Sequence, residues 1–245
     1  LPELRKAYPK LPVIMFSTLT ERGACATLEA LSRGASDYVA KPANVGSVAA
    51  GMETVRVQLL PKIKSLCPFN QPVASSPVLA TPKFAAPKPN NRLPQRVDCL
   101  LIGSSTGGPQ ALTAVLKGLP ADFPVPIVVV QHMPPVFTRH LANRLNQECA
   151  LEVVEASAGM LLRPGQVLIA PGDYHLELCR QGIAVKTMVN QGPPENSCRP
   201  AVDVTFRSAA ALYGPGCLAV VLTGMGQDGL RGAERIVNAG GKVLA

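Results

Sequence analysis

"VDCLLIGSSTGGP", residues 97–109, runs from an apolar stretch into a turn of two serines, a threonine and two glycines that ends in proline. The apolar half suits a strand covered on both faces, and Pro109 suits the first turn of a helix reaching Lys117. A strand that leads through a glycine-rich turn into a helix is the repeating unit of a parallel α/β sheet. Downstream the alternation continues. "VPIVVVQ" reads as a strand, and Phe137, Leu141 and Leu145 mark one face of a helix. "CLAVVLTG" is another strand, Asp228 to Asn238 a helix and "GKVLA" a last strand. Between these, "GQVLIAPGDYHLEL" reads as two strands around a Pro-Gly-Asp turn, with His175 at the rim of that hairpin.

Upstream of the turn, Cys67 to Gln95 holds seven prolines and no helical or strand period, which is the composition of a semi-extended linker. Before it, "PVIMFS" and "SDYVAKP" read as strands. A helix carrying Ala24, Leu28 and Leu31 on one face and stopping at Gly34 separates them. Val45, Val48, Met52, Val55 and Leu59 then line one stripe of a further helix. The expected plan is residues 1–66 as one α/β unit, 67–96 as linker and 97–245 as a doubly wound, mostly parallel α/β domain.

Charge argues against a nucleic-acid partner. The formal net charge of +8 divides into +4 over residues 1–67, +3 over 68–98 and +1 over 99–245, with no basic cluster interleaved with aromatics. No apolar run approaches the roughly 20 residues needed to cross a bilayer, so membrane insertion is not expected. The seven cysteines are odd in number and scattered, with no Cys-x-x-Cys pair and no histidine at ligand spacing. They read as free thiols of a reducing cytoplasm, and neither a metal nor another cofactor is expected.

The segment Gly103-Ser104-Ser105-Thr106-Gly107 fits G-x-S-x-G between a strand and a helix, where a nucleophile elbow belongs. Glycines allow the sharp turn, and the helix N-terminus would point its N–H groups at a developing oxyanion. A plain helix cap and an anion cradle need the same residue types, so all three readings of Ser105 stand on this pattern alone. A nucleotide loop is disfavoured, because the Lys of G-x-x-x-x-G-K-[ST] is missing. A serine nucleophile needs a base and an orienting carboxylate. His132 ends the strand "VPIVVVQ", and Asp228 follows "CLAVVLTG"; with Ser105, each sits beyond the carboxyl end of a different strand, so one crevice would hold all three. His140, beside Arg139 on an amphipathic helix, reads as a solvated residue.

"LIGSSTGGPQAL", "VVQHMPPVFTRHLANRLN", "LIAPGDYHLEL", "GPPENSCRPAVDVTFRSAA" and "VVLTGMGQDGLRGAERI" closely resemble, in order and spacing, the chemotaxis protein-glutamate methylesterase family across nearly all of residues 97–245. The resemblance implies a serine hydrolase that demethylates glutamate methyl esters on chemoreceptors and, in many members, deamidates glutamines. It places the nucleophile at Ser105, the base at His132, the aspartate at Asp228, and backbone oxyanion donors beside Thr106 and Met225. Residues 1–66 resemble the carboxyl part of a receiver domain of flavodoxin-like fold. There Ser17, Tyr38 and Lys41 match the switch positions, and the phosphoacceptor aspartate would lie before Leu1. The catalytic domain would continue about a strand and a helix beyond Ala245. Implied partners are methyl-accepting chemotaxis receptors and a chemotaxis histidine kinase as phosphodonor to the intact protein. The alternative is a catalytically silent, phosphorylation-dependent binding module.

Overall fold

The computed structural model describes residues 1–42, 46–67, 96–224 and 226–245. Up to Cys67 the chain forms α1 (Pro2–Ala7), β1 (Ile14–Ser17), α2 (Glu21–Ser32), β2 (Asp37–Ala40) and α3 (Val48–Leu66). β1 and β2 pair in parallel, Phe16 opposite Val39. α2 begins where the Thr20 side chain accepts a hydrogen bond from Gly23 N, and it buries Ala24, Thr27, Leu28 and Leu31. The stripe expected on α3 is not a buried face. Val48 and Met52 are 81% and 69% exposed, and the only buried residue of the helix is Gly51. The helix instead meets β2 near its carboxyl end, where Lys62 Nζ pairs with Asp37 Oδ2 at 2.6 Å. Val45 lies outside the described residues, as does the expected linker except for Cys67 and Arg96.

After Arg96 come β3 (Cys99–Ser104), α4 (Gly108–Lys117), β4 (Ile127–Gln131), α5 (Phe137–Glu148), β5 (Glu152–Glu155) and β6 (Gln166–Ile169). These are followed by β7 (His175–Gln181), β8 (Ala184–Asn190), α6 (Val202–Tyr213), β9 (Cys217–Thr223), α7 (Leu230–Asn238) and β10 (Lys242–Leu244). Six strands form one sheet in the order β10-β9-β3-β4-β6-β5, every pair parallel. β3 and β4 are buried at every position, as strands covered on both faces must be. Leu100 and Ile102 point to one apolar layer with α4 and α5, while Cys99 and Leu101 point to the other with α6 and α7.

"GQVLIAPGDYHLEL" does contain two strands, but they do not form a hairpin. β6 joins the parallel sheet, and β7 pairs with β8 in a separate antiparallel ribbon. His175 is therefore no rim residue. It is 3% exposed, its Nε2–H donating to Pro193 O at 3.0 Å and its Nδ1 accepting from Ala201 N at 3.3 Å.

The segment before Cys67 shares a core with α4 and α5 of the larger sheet. Ala24, Leu28, Leu31 and Tyr38 belong to the same apolar cluster as Leu112, Phe137 and Leu141. The Tyr38 ring stacks on Phe137 with centroids 5.0 Å apart. Gln110 Nε2 donates to Ala35 O at 2.7 Å and Leu31 O at 3.3 Å, and Arg144 donates to Leu28 O. His140, expected in solvent, faces Glu21 and Cys25 of α2 instead.

Gly108 is a tight point of this architecture. A Cβ there would lie 1.9 Å from Gln131 Oε1 and 3.0 Å from Ser104 Cβ. Gly108→Ala should lower unfolding stability by about 1–3 kcal/mol, because the strand end and the helix start cannot both move away. Thermal melts of the two proteins check this; an unchanged midpoint would mean that Gln131 has room to yield.

Candidate active site

Because β9, β3 and β4 are adjacent and parallel, their carboxyl ends open on one edge of the sheet. The order reverses at β3, with β4 on one side and β9 on the other, so a crevice forms at this switch point. Ser105 follows β3, His132 follows β4, and Asp228 lies in the turn between β9 and α7.

The serine turn is held by backbone bonds. Ser105 N donates to Thr223 O at 2.9 Å, and Ser105 O accepts from Gly108 N at 2.8 Å and from Gln131 Nε2 at 3.0 Å. Ser104 Oγ is spent on Gln131 Oε1 at 2.7 Å, and His132 N donates to Ser104 O at 3.1 Å. Gly107 completes the bend in the left-handed region at φ 74°, which a residue without Cβ adopts freely. No side chain caps α4, so the cap reading of Ser105 does not describe this turn. Its Oγ has no hydrogen-bond partner among the described residues. Thr106 lines the same crevice. Its N–H likewise has no partner among the described residues. Met225 lies outside them.

His132 Nε2 and Asp228 Oδ2 are 2.7 Å apart, with side chains 19% and 4% exposed. Asp228 is tightly held: Oδ2 also accepts from Val202 N at 2.7 Å, and Oδ1 accepts from Asp203 N at 3.0 Å and Asn196 Nδ2 at 3.3 Å. A second buried carboxylate braces this corner. Asp203 accepts from Gly229 N, Gly232 N and Asn196 Nδ2 at 3.1, 2.6 and 3.0 Å. Burial disfavours the Asp228 charge, but hydrogen bonds from His132 and from the N–H groups of Asp203 and Val202 outweigh it and lower the pKa. Burial likewise opposes charge on His132, and hydrogen bonds to Asp228 and Cys198 overcome it, so its pKa is raised to about 9. With Nε2–H given to Asp228, the free nitrogen is Nδ1, which Cys198 Sγ faces at 3.7 Å.

Ser105, Thr106, His132 and Cys198 line a crevice of about 730 Å³ whose far wall is the N-terminal segment, through Leu19, Tyr38 and Lys62. Of the remaining expected residues, Tyr38 is buried. Ser17 Oγ donates to Gly23 O at 3.1 Å. Lys41 Nζ lies 5.5 Å from the centre of the Phe16 ring. Gln131, Asn196, Cys198 and Asp203 were not singled out in the sequence. Asn196 and Cys198 lie in a stretch with neither helical nor strand period, and Asp203 looks like any acid in a first helical turn.

Residues 100–245 match the family model of the CheB methylesterase domain. A protein-glutamate methylesterase/protein-glutamine glutaminase of Nocardioides sp. is 55% identical over 248 residues, covering 99% of this chain and 67% of that protein. One of the same name from Trichodesmium erythraeum is 50% identical, covering 100% of this chain and 70% of the relative. The crystal structure of the Thermotoga maritima CheB methylesterase catalytic domain is similar at 48% identity and TM-score 0.60, covering 61% of this chain and 79% of that one. With the family model matched over residues 100–245 and relatives 50–55% identical across 99–100% of its length, the chain belongs to the CheB methylesterase family.

Proposed function

We propose that this chain is a serine hydrolase that cleaves glutamate methyl esters, and amides of glutamine side chains, on methyl-accepting chemotaxis receptors. The observation that carries the reading is the His132–Asp228 pair at 2.7 Å, with His132 lining the same crevice as Ser105, whose hydroxyl has no hydrogen-bond partner among the described residues. Ser105 Oγ attacks the ester carbonyl while His132 Nδ1 takes its proton, the side chain rotating to displace the Cys198 contact; catalytic hydrogen bonds often tighten only once substrate is bound. Asp228 holds Nε2–H, so it fixes the tautomer and stabilises the imidazolium. The N–H of Thr106, at the start of α4, supports the oxyanion together with the backbone around Met225. Methanol or ammonia leaves with the proton from His132, and water releases the acyl group by the same steps in reverse. Loss of methanol release from methylated receptor in the Ser105 variant tests this; release that persists would sink it.

Residues 1–66 are read as the carboxyl part of a receiver domain, phosphorylated in the intact protein by a chemotaxis histidine kinase. Ser17, Tyr38 and Lys41 are its switch residues in this reading, and the cytoplasm is where such partners meet. In support, this segment walls the crevice and is tied to α4 by Gln110. Gln110→Ala combined with Tyr38→Ala should loosen the wall and raise basal methanol release roughly two- to tenfold, a modest population shift. An unchanged or lower rate in a well-folded protein would argue against gating by this face.

A further inference from the structure

His132 gives one ring nitrogen to a carboxylate and turns the other to a thiol. Cys198 Sγ stands 3.7 Å from Nδ1, while Asp228 Oδ2 holds Nε2 at 2.7 Å. These three side chains are the one group of three such ligands within 4.8 Å of one another among the described residues. A thiol is a weak hydrogen-bond donor, so the contact contributes little on its own. The spacing has a second chemical meaning. With Zn–S about 2.3 Å and Zn–N about 2.0–2.1 Å, two ligands on one tetrahedral zinc stand roughly 3.6 Å apart.

We propose that Cys198 and His132 form a binding site for a thiophilic divalent cation, zinc above all, and that zinc bound there silences the hydrolase. On binding, the thiol and the protonated Nδ1 of His132 each release a proton to solvent, the thiolate and the freed Nδ1 lone pair each donate to the ion, and two coordination positions remain for water on the crevice side. Asp228 already stands where the outer carboxylate of a metal-ligating histidine belongs, on the other ring N–H, fixing tautomer and ring orientation. Thiolate and imidazole select zinc over magnesium or calcium, which need oxygen ligands; the nearby carboxylate oxygens are committed to backbone N–H groups. The silencing half rests on the proposed role of His132: an ion on Nδ1 occupies the lone pair that would take the Ser105 proton.

A second thiol–imidazole contact shows what such a site needs. Cys25 Sγ lies 3.4 Å from His140 Nδ1 and 3.9 Å from Nε2. Sulfur at such similar distances from both nitrogens is not aligned with either lone pair, and Cys25 is exposed. It serves as the control.

The test uses the full chain, titrated with zinc by calorimetry and with cobalt(II) by absorbance, where a thiolate-to-metal band reports sulfur coordination. Cys198→Ala and Cys198→Ser should each weaken uptake on the order of tenfold or more and remove the band, as loss of a thiolate ligand requires. Cys25→Ala should change neither. Methanol release should fall with zinc and return with chelator, each variant being read against its own zinc-free rate, and the Cys198 variants should lose this sensitivity. No uptake by the wild type, or equal uptake after loss of Cys198, overturns the site and leaves the esterase reading untouched. Uptake through Cys198 with undiminished hydrolysis upholds the site but overturns the silencing, and with it the role of His132 Nδ1 as base.

Discussion

Ser105→Ala should lower kcat for methyl-ester hydrolysis on the order of 10⁴-fold or more, as removal of a serine nucleophile does elsewhere. Its melting midpoint should not move. The turn is held by the Ser105 backbone, and Oγ makes no hydrogen bond among the described residues, so the fold loses nothing with it. A residual rate above solution should survive, because the Thr106 N–H and the α4 terminus are still in place. Ser104→Ala is the opposite case. Its hydroxyl is buried on Gln131 Oε1, so the variant should lose about 1 kcal/mol of stability and keep its chemistry. Methanol release and thermal melts of both variants decide the matter. If Ser104→Ala were the inactive protein and Ser105→Ala the active one, the nucleophile assignment would be wrong.

Asp228→Asn should cost about 10³–10⁴-fold in kcat and, unlike Ser105→Ala, destabilise the protein by about 1–3 kcal/mol. Both carboxylate oxygens of Asp228 accept from donors: Val202 N and His132 Nε2 on one side, Asp203 N and Asn196 Nδ2 on the other. An amide NH₂ must therefore face a donor whichever way it is turned. The pH profile carries a further signature. His132 acts as a base only when neutral, and its pKa is raised to about 9, so wild-type kcat should fall as pH drops through about 9. The Asp228 hydrogen bond contributes to that rise, so in Asp228→Asn the limb of the residual activity should move to lower pH, measured with a chelator present. A limb that stays in place, or a variant as active and as stable as wild type, would remove Asp228 from the mechanism.

Much of this was readable from residue order. The fully buried strands around Leu101 and Val129 are runs of apolar residues suited to a sheet covered on both faces, and each was legible as a strand, as was the partly buried strand around Ala219. The glycine-rich turn announced itself because few residue types tolerate a bend like that at Gly107. Ser105, His132 and Asp228 stood out for the same reason: each follows an apolar strand, where a parallel sheet opens its edge. Local pattern misled where the partner was distant. The stripe on α3 has helical spacing, yet spacing cannot say whether another element covers it. "PGDYHLEL" has hairpin chemistry, yet β6 found its partners in β4 and β5 and left β7 to β8.

What the sequence determined by itself was the alternation of strand and helix, the sharp glycine turn and the three side chains at strand ends, because these depend on local propensity and short-range periodicity. What only the tertiary structure decided was which groups meet: Asp203 and Asn196 against Asp228, Cys198 against the second nitrogen of His132, and residues 1–67 against the mouth of the crevice. Those contacts join residues tens of positions apart. They follow from strand order and loop path, which no local pattern along the chain encodes.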